Sequence, residues 1–151
     1  MSSNHLRFTL SLWLVSLLGL AFAAPASQCS LVLPAHLEVI DNFRQPDCVW
    51  CTGNRGIEYR SQPGAKVASV ADGTVSFAGL VANTLYVVVR TQPGLLVTHG
   101  RLRSAVVAKG DVVRVGEPLG EAGSTLYIGV RRGGTYLNPS TCSGRVRAVL
   151  L

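Results

Sequence analysis

The chain has 151 residues, with 14 Lys and Arg against 8 Asp and Glu, a net charge of +6 and an apolar fraction of 48%. That length leaves room for one domain with a respectable core and excludes two. The basic residues are scattered, not run together, a balance that suits an anionic cell envelope as well as nucleic acid.

Arg7 followed by the apolar run Phe8 to Ala23 reads as a secretory signal, with the cut placed after Ala23 because Ala21 and Ala23 are small where a signal peptidase reads. The run falls short of the ~20 apolar residues of a spanning helix, which argues against a retained anchor. Gln28 stands where a lipoprotein signal needs a small residue, so Cys29 is not expected to be lipidated. Export makes the extracytoplasmic envelope the expected location. The resulting division is a signal over 1–23, a lead-in over 24–42, one domain over 43–140 and a tail over 141–151.

All the cysteines, Cys29, Cys48, Cys51 and Cys142, follow the proposed cut. An even number in an oxidising compartment reads as two disulfides, and sequence alone permits three pairings. Cys48 with Cys51 and Cys29 with Cys142 is favoured, because the second bridge ties the start of the mature chain to its end. Closing a loop of about 100 residues contributes up to ~4.7 kcal/mol in the chain-entropy account. "CVWC" also fits half a zinc knuckle or a redox pair, but the first lacks a second Cys or His pair and the second lacks a following helix.

Ala35 to Phe43 reads either as a turn or two of helix or as an entry strand. "GNRGIEYRSQPGAKV" from Gly53 has a tight glycine turn and then a short strand bearing an acid. From Lys66 onward short apolar runs alternate with Gly, Pro and Asp, and nothing repeats at helical spacing, so the chain is β-rich. The predicted strands are "KVASV", "GTVSFAGLV", "LYVVVRT", "LLVTHG", "DVVRVG", "LYIGVRR" and "TYL". Turn signals fall at Ala71 to Gly73, Gln92 to Gly94, Lys109 to Asp111, Gly116 to Gly120 and Arg132 to Gly134. This spacing predicts an all-β antiparallel sandwich or barrel-like sheet with little helix. "VVAKGDVVRVGEPLGEAG" also has the phrasing of biotinyl and lipoyl carrier hairpins. However, Lys66 and Lys109 are the only lysines, and neither sits at a carrier's modified tip.

Three stretches together resemble the LytM or lysostaphin-type family of peptidoglycan metalloendopeptidases: "GNRGIEYRSQPGAKVASVADGTVSFAG", "VVVRTQPGLLVTHGRLRSAVVAKGDVVRVGEPLG" and "LYIGVRRGGTYLNP". The resemblance covers about Phe43 to Pro139. It implies an antiparallel β fold with a zinc-bearing groove that acts on the peptide cross-bridges of bacterial cell wall. Such enzymes hold zinc with "HxxxD" and the second histidine of a late "HxH". On this chain those positions fall at Asn54, Glu58 and Tyr127, of which only Glu58 keeps a usable ligand. The supporting histidines fall at Thr125 and Arg101, with His99 two residues before Arg101; a slip in alignment would make His99 the catalytic histidine. A catalytic zinc needs three N, O or S donors and an open position. An amide is a poor donor, a phenol of reference pKa ~10 ligates reluctantly, and an arginine cannot act as a base.

Each of these residues also has a plain structural reading. Asn54 can be a turn former, Glu58 can pair with Arg60 or Arg101, and Tyr127 can be a packed strand aromatic. His99 reads as a surface or groove residue, and Arg131 with Arg132 as a solvated turn face or a ligand contact. The leading expectation is a secreted, catalytically degenerate domain that binds peptidoglycan or regulates a cell-wall hydrolase, with no cofactor. Arg101, Arg131 and Glu58 are its candidate ligand contacts. The alternative is an active zinc endopeptidase with unorthodox ligands from His99, His36 or the cysteines; a third class is a purely structural envelope module.

Overall fold

The computed structural model describes residues 29–92 and 94–142, so the readings on the signal, on 24–28 and on 143–151 lie outside the described residues. The antiparallel β class expected from the turn spacing is what forms. β1 (Val39–Asp41), β2 (Gly56–Arg60), β3 (Lys66–Ala68), β4 (Gly73–Val81), β5 (Thr84–Arg90), β6 (Leu96–Ala105), β7 (Val112–Val113), β8 (Pro118–Arg132) and β9 (Thr135–Leu137) make one 9-stranded sheet. Its order is β1-β2-β8-β6-β5-β4-β7, and β3 and β9 pair further along β8. Helix among the described residues is one 3₁₀ turn, Pro139–Cys142. Of the two readings for Ala35 to Phe43, the strand is correct: a turn leads into β1.

The alternation within each strand sorts residues between two faces. Ile57, Ile128, His99 and Val87 are register partners across β2, β8, β6 and β5, and all are buried. Tyr59, Val89, Val97, Leu126 and Val130 extend this core face, and Leu31, Val67, Val70, Leu102, Val113 and Leu119 complete the core. β4 and β5 are joined through Ala82 and Asn83, which have φ of 46° and 63°, the left-handed pair that a two-residue hairpin turn of matching twist requires.

β8 is much longer than the sequence suggested, because it begins at Pro118 inside the stretch read as a turn. Its first half carries β3, with Lys66 opposite Glu121, and its second half carries β2, with Glu58 opposite Tyr127. The expected disulfides form: Cys29 with Cys142, and Cys48 with Cys51. The first closes a sequence separation of 113 residues and ties the segment before Leu31 to the 3₁₀ turn, where the Leu31 N–H donates to the Cys142 carbonyl at 2.8 Å.

Candidate functional site

The face opposite the core carries several of the positions singled out by sequence. Glu58, Tyr127, Gly100, Tyr86 and Gly79 lie in one register row across β2, β8, β6, β5 and β4. The next row is Gly56, Gly129, Thr98, Val88 and Phe77. The glycines let the tyrosine rings lie down on the sheet. A Cβ at Gly56 would stand 2.6 Å from the Tyr127 ring, one at Gly129 would stand 2.7 Å from the Tyr127 hydroxyl, and one at Gly100 would stand 2.6 Å from the Tyr86 ring. Tyr127 therefore divides the face.

On the Gly129 side lies a cavity of about 390 Å³, lined by Phe77, Tyr86, Thr98, Tyr127, Arg131 and Tyr136 among others. Burial, with Tyr136 and Tyr86 adding to it, pushes the Tyr127 phenol up to about 12. The guanidinium of Arg55 lies 5.5 Å over the ring of Tyr136, one of the residues lining this cavity.

On the Thr125 side the charged groups meet. Arg101 donates to Glu58 at 2.5 Å and to the Thr125 hydroxyl at 3.5 Å. Of the two partners considered for Glu58, Arg101 is the one used, while Arg60 donates to Glu38 at 2.7 Å. Local backbone geometry places Arg101 there. Strict alternation after His99 on the core face and Gly100 on the groove face would turn residue 101 inward. Instead Arg101 takes φ 63° in a β-bulge between Gly100 and Leu102, which aims its side chain outward and returns Leu102 to the core. A non-glycine residue in this left-handed region costs of order 1–3 kcal/mol and is retained where the surroundings over-determine it.

Asn54 sits at the turn into β2, and both ends of its amide are used locally. Its Oδ1 accepts the Gly56 N–H at 3.2 Å, and its Nδ2 donates to the Asp41 carbonyl at 3.4 Å. This is the turn-forming role anticipated for an asparagine before Arg-Gly.

His99 corrects the expectation of a surface or groove residue. Its side chain is 0% exposed on the core face, and its Nε2 accepts the Val70 N–H at 3.2 Å. Burial pulls its pKa down to about 4, a loss that the Val87 backbone offsets only in part. Among the described residues no group meets hydrogen-bond geometry at Nδ1, the nitrogen left to carry the proton of the neutral ring.

The other donors considered for an unorthodox metal site are also dispersed. His36 lines a separate cavity with Ser61 and Ala65, and the cysteines are bonded to one another. Among the described residues, no three His, Cys, Asp or Glu side chains gather as a metal-binding group. The structure thus brings Glu58, Tyr127, Arg101 and Thr125 together and puts Arg131 on the cavity wall, while Asn54 and His99 are committed elsewhere. Sequence reading missed Phe77, Tyr86, Arg55 and Tyr136. Alternation hints at the face each one occupies, but only cross-strand register makes them neighbours.

A single antiparallel sheet with a groove on one face, framed by glycines and entered by a turn at the "HxxxD" position, defines a peptidase-type β domain of the lysostaphin class. The profile of Peptidase family M23 matches residues 52–139, well over half of the chain, and the chain belongs to that family. It is 34% identical over 99 residues to the murein hydrolase activator EnvC of Escherichia coli (strain K12), a match covering 60% of this chain and 24% of EnvC. The chain thus spans about a quarter of that relative's length. The catalytic domain of the prophage-encoded M23 protein EnpA from Enterococcus faecalis, solved in a mutant form, superposes with a TM-score of 0.64 at 18% identity, covering 76% of this chain and 98% of that one. The catalytic domain of lysostaphin from Staphylococcus simulans gives 0.63 at 16% identity, covering 70% and 91%. At these identities the two solved structures establish the fold alone.

Proposed function

We propose that this chain is an exported M23-family domain whose groove binds instead of cleaving, and that it docks on peptidoglycan or on a cell-wall hydrolase that it regulates. The observation that carries the reading is the placement of Arg101, whose guanidinium lies on the Glu58 carboxylate and reaches Thr125.

A family zinc would need the positions of Asn54, Glu58 and Tyr127, and the residues present do not fit it. The Asn54 amide is occupied with backbone groups, and the Glu58 carboxylate is held by a permanent cation. The Tyr127 hydroxyl lies over Gly129, and its phenol, pushed up to about 12, resists forming the phenolate that would ligate. Arg101 and Thr125 cannot take a proton from water as the family's histidines would.

What the groove offers is recognition. Its cavity has an aromatic floor and the Arg131 guanidinium on its wall, and across Tyr127 the face adds the Arg101 guanidinium, paired with Glu58; guanidinium groups suit carboxylates. Regulation of a hydrolase is supported by the relative described as a murein hydrolase activator. Export is supported by the leader-like residues 1–23 and by two disulfides, which persist in an oxidising compartment.

Metal analysis of the purified protein, paired with sedimentation on isolated peptidoglycan and an assay of added wall hydrolase, tests the reading. The expected result is no stoichiometric zinc, together with wall binding or hydrolase stimulation that falls in Arg101→Ala and Arg131→Ala. About one tightly held zinc per chain would overturn it. So would wall binding no stronger than that of an unrelated basic protein combined with no effect on the hydrolase.

A further inference from the structure

The groove leaves one exposed feature unused. Between β1 and β2 the Cys48–Cys51 bridge closes a short loop whose two enclosed residues are Val49 and Trp50, exposed by 74% and 92%. Trp50 is the most exposed of the large apolar side chains among the described residues, and with Val49 it forms a contiguous apolar tip. The loop is held in place twice: by the disulfide at its base, and by Arg55, which donates to the Val49 carbonyl at 2.7 Å. The apolar tip is therefore presented by an ordered support.

Beside the loop lie one acid and several arginines. Arg55 lines the cavity under the loop together with Asp47, Cys48, Val49, Gly134 and Tyr136. The β8–β9 hairpin that supplies Gly134 also carries Arg131 and Arg132. Among the described residues Asp47 is the one acid lining that cavity, and the chain's net charge of +6 falls only to +5 when Arg7 leaves with the leader.

We infer that the Val49–Trp50 tip is a membrane-surface anchor that inserts at the headgroup level of an anionic bilayer, to which the positive charge of the domain draws it. Size favours a bilayer over a protein partner. A tryptophan side chain buries at most ~250 Å², and a stable protein interface needs about 1,000 Å² in total. A two-residue tip falls far short of that area, whereas an interfacial tryptophan needs only the boundary between water and acyl chains. Charge complementarity supplies the second argument, since an anionic leaflet attracts basic groups held near its surface over roughly a Debye length. Such an anchor would hold the domain at a membrane face with the groove free.

The test uses the chain expressed for export and purified as the host leaves it, with Trp13→Phe so that Trp50 is the single indole. Vesicles of phosphatidylcholine alone and of phosphatidylcholine with phosphatidylglycerol are added. The expected result is a blue shift of Trp50 emission and co-sedimentation with the anionic vesicles, weakened severalfold at high salt. Trp50→Ala should lower the partition coefficient about tenfold, the loss of part of one aromatic side chain's burial, and Val49→Asp should lower it similarly. Both side chains are solvent-exposed, so circular dichroism of each variant should match the parent.

Unchanged emission with anionic vesicles, or equal sedimentation of parent and Trp50→Ala, overturns the inference. An emission shift produced by isolated peptidoglycan or by an envelope protein fraction, and not by vesicles, overturns it in favour of a different partner class. None of these outcomes bears on the groove, whose reading stands or falls on zinc content and the Arg101 and Arg131 variants.

Discussion

Acidification should destabilise the domain through His99. The imidazole is fully buried, and its pKa is pulled from 6.5 to about 4 by burial. In the unfolded chain it takes a proton below about pH 6.5, while the folded chain refuses one until about pH 4. Between those values the unfolded state binds more protons, so stability is lost as pH falls and regained as it rises. With 1.36 kcal/mol per pKa unit, the loss reaches about 2 kcal/mol at pH 5 and about 3 kcal/mol near pH 4, a large share of the 5–15 kcal/mol typical of a domain.

Urea midpoints at pH 7.5, 6 and 5 measure this loss, and an unchanged m-value would confirm that compactness is not the cause. His99→Gln keeps an acceptor for the Val70 N–H and cannot titrate in this range. It should be less stable than the parent at pH 7.5 but lose little further stability between pH 6.5 and 5. If the parent is flat across this window, or if the slope persists in His99→Gln, His99 is not buried as a neutral ring and the assigned core face is wrong.

Gly56→Ala should destabilise the domain by about 1–3 kcal/mol through overpacking, because its Cβ would lie 2.4 Å from the Ile128 carbonyl oxygen and 2.6 Å from the Tyr127 ring. A neutral result in urea denaturation would mean that the ring does not lie over the glycine. Breaking the Cys29–Cys142 bridge with paired alanines should cost up to ~4.7 kcal/mol, and breaking Cys48–Cys51 about 2 kcal/mol by the same loop relation; thermal unfolding of each variant should rank them in that order. Asn54→His, Glu58→Asp and Tyr127→His, combined with Arg101→His and Thr125→His, should rebuild a site that binds about one zinc, with peptidase activity a harder demand because ligand-orienting neighbours matter by roughly 10- to 100-fold. A folded variant that takes up no zinc by metal analysis would mean that these positions do not converge.

The sequence by itself determined the strand-rich class, because period-two alternation and Gly, Pro and Asp turns are local signals. "GTVSFAGLV" could be read to its ends, since β4 spans Gly73–Val81. The replacement of the family's ligand types at Asn54, Tyr127 and Arg101 is likewise legible in the sequence, and it is the ground on which a binding role is proposed.

Tertiary structure decided what depends on register. β8 runs through the glycine-rich "PLGEAG" because partners on both sides supply its hydrogen bonds, and no local propensity announces that. Tyr86 and Phe77 became neighbours of Tyr127 through the pairing of β6 with the distant β8, while Tyr136 is returned beside it by the β8–β9 hairpin. The fate of Arg101 turned on a bulge in β6 that lies beyond His99. His99 follows Val97 onto the core face by plain alternation, whereas one extra residue after Gly100 sends the arginine onto Glu58, and alternation read along "VTHGRLR" cannot reveal where a strand breaks its own period.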